Sequence, residues 1–172
     1  SCNVGQFHLG RGSAFNGGAE GIQASLDSLK SFIEKEDADI VCLQEVGAAQ
    51  RIRISEFLEQ NFPGYHQSYY MFVNNRWKFG NVTLSRYPIE DKGVLEFENS
   101  TNLAIWSDVR INDRKLRIYN CHLQSYNISI KELLGSVSKR DSTFIHNAEE
   151  KMKASIRLRP GQVERIIRDI ED

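Results

Sequence analysis

The sequence predicts an α/β protein, and three features carry that prediction. Strand, loop, helix and strand succeed one another over the first 44 residues, the pattern of a β-α-β unit. From 65 to 123 the texture turns to short β-rich runs bounded by turn residues. Beyond 123 the chain turns polar and helix-prone.

The first strand is expected around Cys2 to Phe7, followed by the glycine-laden "GRGSAFNGG" at 10–18. Ile22, Leu26, Leu29 and Ile33 then recur at helical spacing. In "DADIVCLQEV", the apolar run Ile40, Val41, Cys42 and Leu43 lacks polar alternation and reads as an interior parallel strand that Gln44 and Glu45 terminate. A crossover of this size is right-handed and puts both strands in one sheet. A short helix around Arg51 to Gln60 carries Ile54, Phe57 and Leu58 on one side and stops at Pro63-Gly64. Five runs follow: "YHQSYYMFV", "FGNVTLSRY", "GVLEFE", "LAIWSDVRI" and "KLRIYNCHL". The last two flank "NDR" as an antiparallel hairpin. Val163, Ile166, Ile167 and Ile170 predict a closing amphipathic helix that starts at "RPGQ".

A length of 172 residues with 40% hydrophobic content suits one domain whose core needs no staple. With 22 basic against 23 acidic residues the net charge is -1, so any grip on phosphate must be local. Cys2, Cys42 and Cys121 lie in apolar runs, in odd number and without C-x-x-C spacing, which predicts packing residues with no zinc site and no disulfide. The chain opens at "SCNVGQF" without Met and inside a strand, so a trimmed product is expected, and its address is not legible. The sequons at Asn81, Asn99 and Asn127 occur at about chance frequency.

The glycine loop lacks the G-K-[ST] ending of a phosphate cradle, and neither a G-x-S-x-G elbow nor H-E-x-x-H occurs. What remains is a set of polar residues where apolar strands stop: Asn3, Gln44, Glu45, Asn81, Asn120 and His122. Ligands of layered α/β folds bind outside strand carboxyl ends, so these positions are candidates for one cleft. One carboxylate with amide and imidazole neighbours suits a hard cation such as Mg2+ together with a phosphate. Each residue also has a plain reading. Glu45 serves as well as a solvated strand end, His122 as a hydrogen-bonded core histidine, and Asn3 and Asn81 as turn formers.

Taken in order, "DADIVCLQEV", "FGNVTLSRYPI", "LRIYNCHLQS" and "RPGQV" resemble the endonuclease/exonuclease/phosphatase superfamily, which includes apurinic endonucleases, pancreatic-type deoxyribonucleases, sphingomyelinases and inositol polyphosphate phosphatases. The resemblance implies a four-layered α/β/β/α sandwich with mixed sheets flanked by helices, and a metal-dependent phosphoesterase using Mg2+ or Mn2+. It implies that Glu45 binds the metal beside Gln44 and that Asn3, Asn81 and His122 form the catalytic set, with Asn3 also supporting the metal site and His122 facing the scissile phosphate. Gln162 falls on the helix glutamine, with no catalytic part.

The family's G-D-x-N and S-D-H motifs, which supply the residue orienting the attacking water and the second acid and base, do not occur in these 172 residues. The expectation is therefore an N-terminal half that needs its own C-terminal half to work. The alternative is a non-catalytic phosphate-binding module on the same fold. The substrate is expected to carry a phosphate, as a nucleic acid, a phospholipid headgroup or a sugar phosphate. Arg76 and Trp77 in "NNRWKFG" are its expected contacts, since an aromatic ring between cations stacks on a base or caps a sugar.

Overall fold

The computed structural model describes residues 1–9, 18–73, 77–98, 100–125 and 142–172. It divides into two compact units, one of Ser1–Glu96 with Leu103–His122, the other of Phe97–Asn102 with Leu123–Asp172.

The first unit begins with the expected β-α-β unit: β1 (Cys2–Leu9), α1 (Gly18–Lys35) and β2 (Ile40–Ala49), with β1 and β2 parallel. Residues 10–17 of the glycine loop lie outside the described residues. Helix α1 ends in a Schellman motif. Asp37 takes the left-handed position at φ 46, its N–H donates to Glu34 O, and Ala38 N donates to Ile33 O. After α2 (Ile54–Asn61) come β3 (His66–Val73) and β4 (Trp77–Ser85), and the four strands form a sheet in the order β1-β2-β4-β3. Strand β2 is interior as expected, but it is parallel only to β1; on its other side it runs antiparallel to β4.

Leu26 and Ile33 of α1 and Ile54 and Leu58 of α2 bury against Val41, Leu43, Val46, Ala48, Val82 and Leu84 on one face of this sheet. Each of these side chains except Ala48 contributes roughly 1.5–3 kcal/mol of burial. On the other face lies the second sheet, β5 (Ile89–Glu96), β6 (Leu103–Ile111) and β7 (Arg114–Cys121), antiparallel in that order. The expected hairpin at "NDR" joins β6 to β7, with Asn112 at φ 53.

The buried run of β2 keeps to one face only because the strand contains a bulge. Leu43 pairs with Val82 and Val46 with Gly80, so Gln44 and Glu45 together oppose the single residue Asn81. Strict alternation from Val41 and Leu43 would send Glu45 into the helix-covered core. The extra residue hands that face to Val46 and Ala48 instead. Glu45 takes the strain at φ 59, at roughly 1–2 kcal/mol for a non-glycine residue. Burying an unpaired carboxylate costs several kcal/mol, so the bulge wins. This corrects the expectation that Gln44 and Glu45 end the strand: β2 runs on to Ala49. Gly80, paired with Val46 beside the bulge, is glycine because a Cβ there would meet the carbonyl oxygen of Tyr70.

Within the second sheet Asp108 is fully buried and held by Arg117, its cross-strand partner, through Nε–Oδ1 at 2.7 Å and Nη2–Oδ2 at 3.0 Å. Lys115 adds a contact at 3.1 Å, and the Arg117 guanidinium stacks 3.9 Å over Trp106. The Arg117 hydrogen bond above all, with Lys115, outweighs burial and holds the Asp108 carboxyl below its ordinary range. A depressed folded pKa contributes stability above the unfolded value, near 4, that is lost as pH falls through the folded value. Melting temperatures read across pH should therefore show Asp108→Asn less stable than the parent at pH 7, with the gap closing below about pH 4.

The second unit contains α3 (Ser142–Glu171). Two expectations are corrected here. "RPGQ" does not start a helix: Pro160 lies inside α3. The buried positions are Ala148, Ser155 and Gln162, a seven-residue stripe, whereas Val163, Ile167 and Ile170 are exposed. The stripe is polar because its partner is backbone. Gln124 N donates to Gln162 Oε1 at 2.9 Å, and Gln124 O accepts from Ser155 Oγ at 3.0 Å and Arg159 Nε at 2.8 Å. Among the described residues no helix is long and apolar enough to cross a membrane.

Candidate active site

The bulge turns the Glu45 side chain away from the helix-covered core toward β1, where one carboxylate oxygen gathers two neighbours. Oε1 accepts from Asn3 Nδ2 at 2.9 Å and lies 3.2 Å from His122 Nε2. Asn3 is brought there because β1 pairs Asn3 with Gln44 and breaks register immediately after it, at the level of the bulge. His122 follows the last residue of β7, and its backbone N–H, donating 2.9 Å to Leu103 O, ties it to β6. The Glu45 and His122 side chains keep 27% and 22% of their surface exposed, so both are accessible to a ligand.

Beneath this trio lies a buried amide network. Gln44 Nε2 donates to Asn120 Oδ1 at 2.6 Å. Asn120 Nδ2 reaches Val82 O at 2.9 Å and Leu43 O at 3.2 Å. Asn81 Nδ2 donates to Asn120 O at 3.0 Å and to Leu103 O at 3.3 Å. Asn81 and Asn120 are each 1% exposed and stitch the two sheets together at the level of the bulge. Of the residues singled out from the sequence, Asn3, Glu45 and His122 therefore meet at one carboxylate. Asn81 lies behind them and faces backbone carbonyls. Arg76 lies outside the described residues. Trp77 opens β4 opposite Ala49, and its side chain lies outside the described residues too.

The role of Asn120 is one the sequence pattern alone understates. Its donors serve β2 and β4 from a strand of the other sheet, and no local spacing reports that. The partly buried thiols of Cys42 and Cys121 are pushed up chiefly by that burial, which suits packing more than metal ligation. Among the described residues no group of three or more His, Cys, Asp or Glu is placed to hold a metal. One accessible carboxylate amid side-chain amides is a poor zinc site, but it fits a hard cation that keeps most of its waters and takes further oxygens from a phosphate.

A sequence profile of the Endonuclease/Exonuclease/phosphatase family matches residues 1–169. The chain belongs to this family. No curated protein matches it significantly in sequence. Among solved structures, an endonuclease/exonuclease/phosphatase family protein from Leptotrichia buccalis C-1013-b superposes with a TM-score of 0.51 at 12% identity, over 77% of this chain and 61% of that one. Truncated TDP2 of Caenorhabditis elegans gives 0.48 at 19% identity, over 67% and 44%. An AP endonuclease from Archaeoglobus fulgidus gives 0.41 at 18%, over 72% and 42%. The chain thus spans less than two thirds of the length of each. The first of these likenesses supports the mixed α/β sandwich, and family membership makes hydrolysis of phosphoesters the chemistry to weigh against the Glu45 cluster.

Proposed function

We propose that this chain carries the metal- and phosphate-binding half of a Mg2+-dependent phosphoesterase active site. The observation that supports the reading most is the convergence of Asn3 and His122 on Glu45, which a strained bulge holds out of the core. Glu45 would hold the cation, Mg2+ or Mn2+, which when bound supplies charge neutralisation to the non-bridging oxygens of a phosphate. Asn3 fixes the carboxylate. The His122 imidazole, 3.2 Å from Glu45, donates an N–H toward a phosphate oxygen as negative charge develops there. Gln44, Asn81 and Asn120 act as positioning residues, because their polar atoms are committed to holding the bulge and the strand ends.

The proposal assigns the residue that orients the attacking water to a C-terminal half of the same fold, since G-D-x-N and S-D-H are absent from these residues. Purified alone with Mg2+, the 172 residues should leave bis-p-nitrophenyl phosphate intact, and adding the C-terminal half in trans should produce EDTA-sensitive hydrolysis. Folded protein that stays inactive in both states would favour the non-catalytic phosphate-binding module. In the complemented enzyme, His122→Asn should lower turnover about 10²- to 10³-fold, the usual effect of losing one transition-state donor, with melting temperature unchanged. A large loss of stability with full activity in the folded fraction would return His122 to a packing role.

A further inference from the structure

The second sheet covers the first only in part. Its near end is marked by Glu96 and Leu103, which pair with each other, and by the bonds from Tyr70 Oη to Glu96 Oε1 at 2.7 Å and from Asn81 to Leu103 O. Tyr70 and Asn81 are direct cross-strand partners, and the next pair on the same face, two residues further out, is Phe72 with Phe79. Those rings lie 5.5 Å apart at 31°, and Tyr70 meets Phe72 edge-on at 5.5 Å. Phe72 and Phe79 are only partly buried, and Glu96 is exposed. The result is an aromatic shelf with a carboxylate at its rim. Phe79 pairs with Gly47, one strand across and two residues along from Glu45, so the two backbone positions are about 8 Å apart from strand spacing and rise.

We propose that Phe72, Phe79 and the Tyr70–Glu96 pair form a nucleobase subsite beside Glu45, so that the substrate is a nucleotide or single-stranded nucleic acid. This rests on the phosphoesterase reading of Glu45 and deepens it. Complementarity selects the occupant. A carboxylate accepts hydrogen bonds and donates none, so a ligand on this shelf must bring N–H or O–H groups on a flat apolar ring. An acyl chain has no donors and would cover the carboxylate with its remaining acceptor sites unfilled, Tyr70 Oη serving only Oε1. A sugar phosphate has donors but no π-face. A base with an exocyclic amine has both, and it stacks irrespective of sequence. Glu96 meets β3, at the far edge of the sheet from the β1 side toward which Glu45 turns, which separates its charge from the phosphate.

The test is equilibrium binding of adenosine, adenosine 5′-monophosphate and ribose 5-phosphate to the 172-residue chain in Mg2+, repeated with Phe79→Leu and Glu96→Gln. The nucleotide should bind about 5- to 150-fold more tightly than ribose 5-phosphate, the range expected of one stacked base. Phe79→Leu, which keeps the site apolar, should erase most of that ratio at unchanged melting temperature. Glu96→Gln should reduce the preference for the adenine nucleotide over its uracil counterpart. Equal binding of nucleotide and ribose 5-phosphate would overturn the subsite and leave the phosphate site standing. Adenosine bound as well as its monophosphate would uphold the subsite and overturn the phosphoesterase reading, and absence of all binding would overturn both.

Discussion

Glu45→Ala is expected to remove metal-dependent hydrolysis from the complemented enzyme while leaving its fold intact, and Glu45→Gly to do the same with no loss of stability. Activity should fall by more than about a hundredfold, because changes that only touch a ligand's outer partners already cost 10- to 100-fold. The stability side follows from the backbone. Glu45 sits at φ 59, where a side chain costs roughly 1–2 kcal/mol and glycine pays no steric penalty. Glycine's larger entropy loss offsets part of that gain, so Glu45→Gly should melt at or slightly above the parent temperature. Its neighbours do not reverse the sign, since Asn3 is exposed and His122 partly so, and water can replace the lost acceptor. Thermal melts and initial rates against Mg2+ concentration measure both quantities. An active Glu45→Ala enzyme with an unchanged Mg2+ requirement would exclude Glu45 as the ligand. A stabilised but inactive Glu45→Gly would mark this position as one where strain is held for chemistry.

Glu45 is conspicuous in the sequence because a charge follows four apolar residues and Gln44, yet its placement within β2 is not legible. A bulge is made by what lies on either side. Here β1 breaks register after Asn3, and β4 offers one residue, Asn81, to two. The only local trace is parity: the core positions Val41 and Leu43 are followed by Val46 and Ala48, so the alternation skips. The hairpin at Asn112, by contrast, is a contact between neighbours in sequence, and its turn residue announces it. Pro160 misleads for the opposite reason. Proline normally opens or ends a helix, but α3 is held by bonds from Ser155, Arg159 and Gln162 to the backbone of Gln124, which no helical periodicity reveals. The exposed apolar positions Val163, Ile167 and Ile170 then follow from the buried stripe being polar.

The largest stability effect is expected at Asn120, whose amide ties β7 to the two central strands of the other sheet. Asn120→Leu fills similar space with no hydrogen-bonding capacity. It deprives Leu43 O and Val82 O of the donor they share and Gln44 Nε2 of its 2.6 Å acceptor, all in a buried setting. An unsatisfied buried polar group costs about 1–3 kcal/mol. The two carbonyl oxygens lose their shared donor while Gln44 Nε2 keeps Ser1 Oγ at 3.0 Å and Cys42 O at 3.3 Å, which makes a loss of about 2 kcal/mol or more, against about 1 kcal/mol for Gln44→Leu, which strands one acceptor. A double-mutant cycle in urea should find the two changes strongly non-additive, because they share that bond. Asn120→Asp separates charge from shape. An ionised carboxylate donates nothing to the carbonyl oxygens of Leu43 and Val82, so burial and its acceptor neighbours would raise its folded pKa above the ordinary value near 3.9. A raised folded pKa gives stability at low pH that is lost as pH rises through it. Asn120→Asp should therefore unfold at lower urea than Asn120→Leu at pH 7.5 and recover ground as the pH is lowered to 5. Equal urea midpoints for the two variants at both pH values would mean that the intersheet amide is solvated, and that the bulge carrying Glu45 is held by the strand ladders alone.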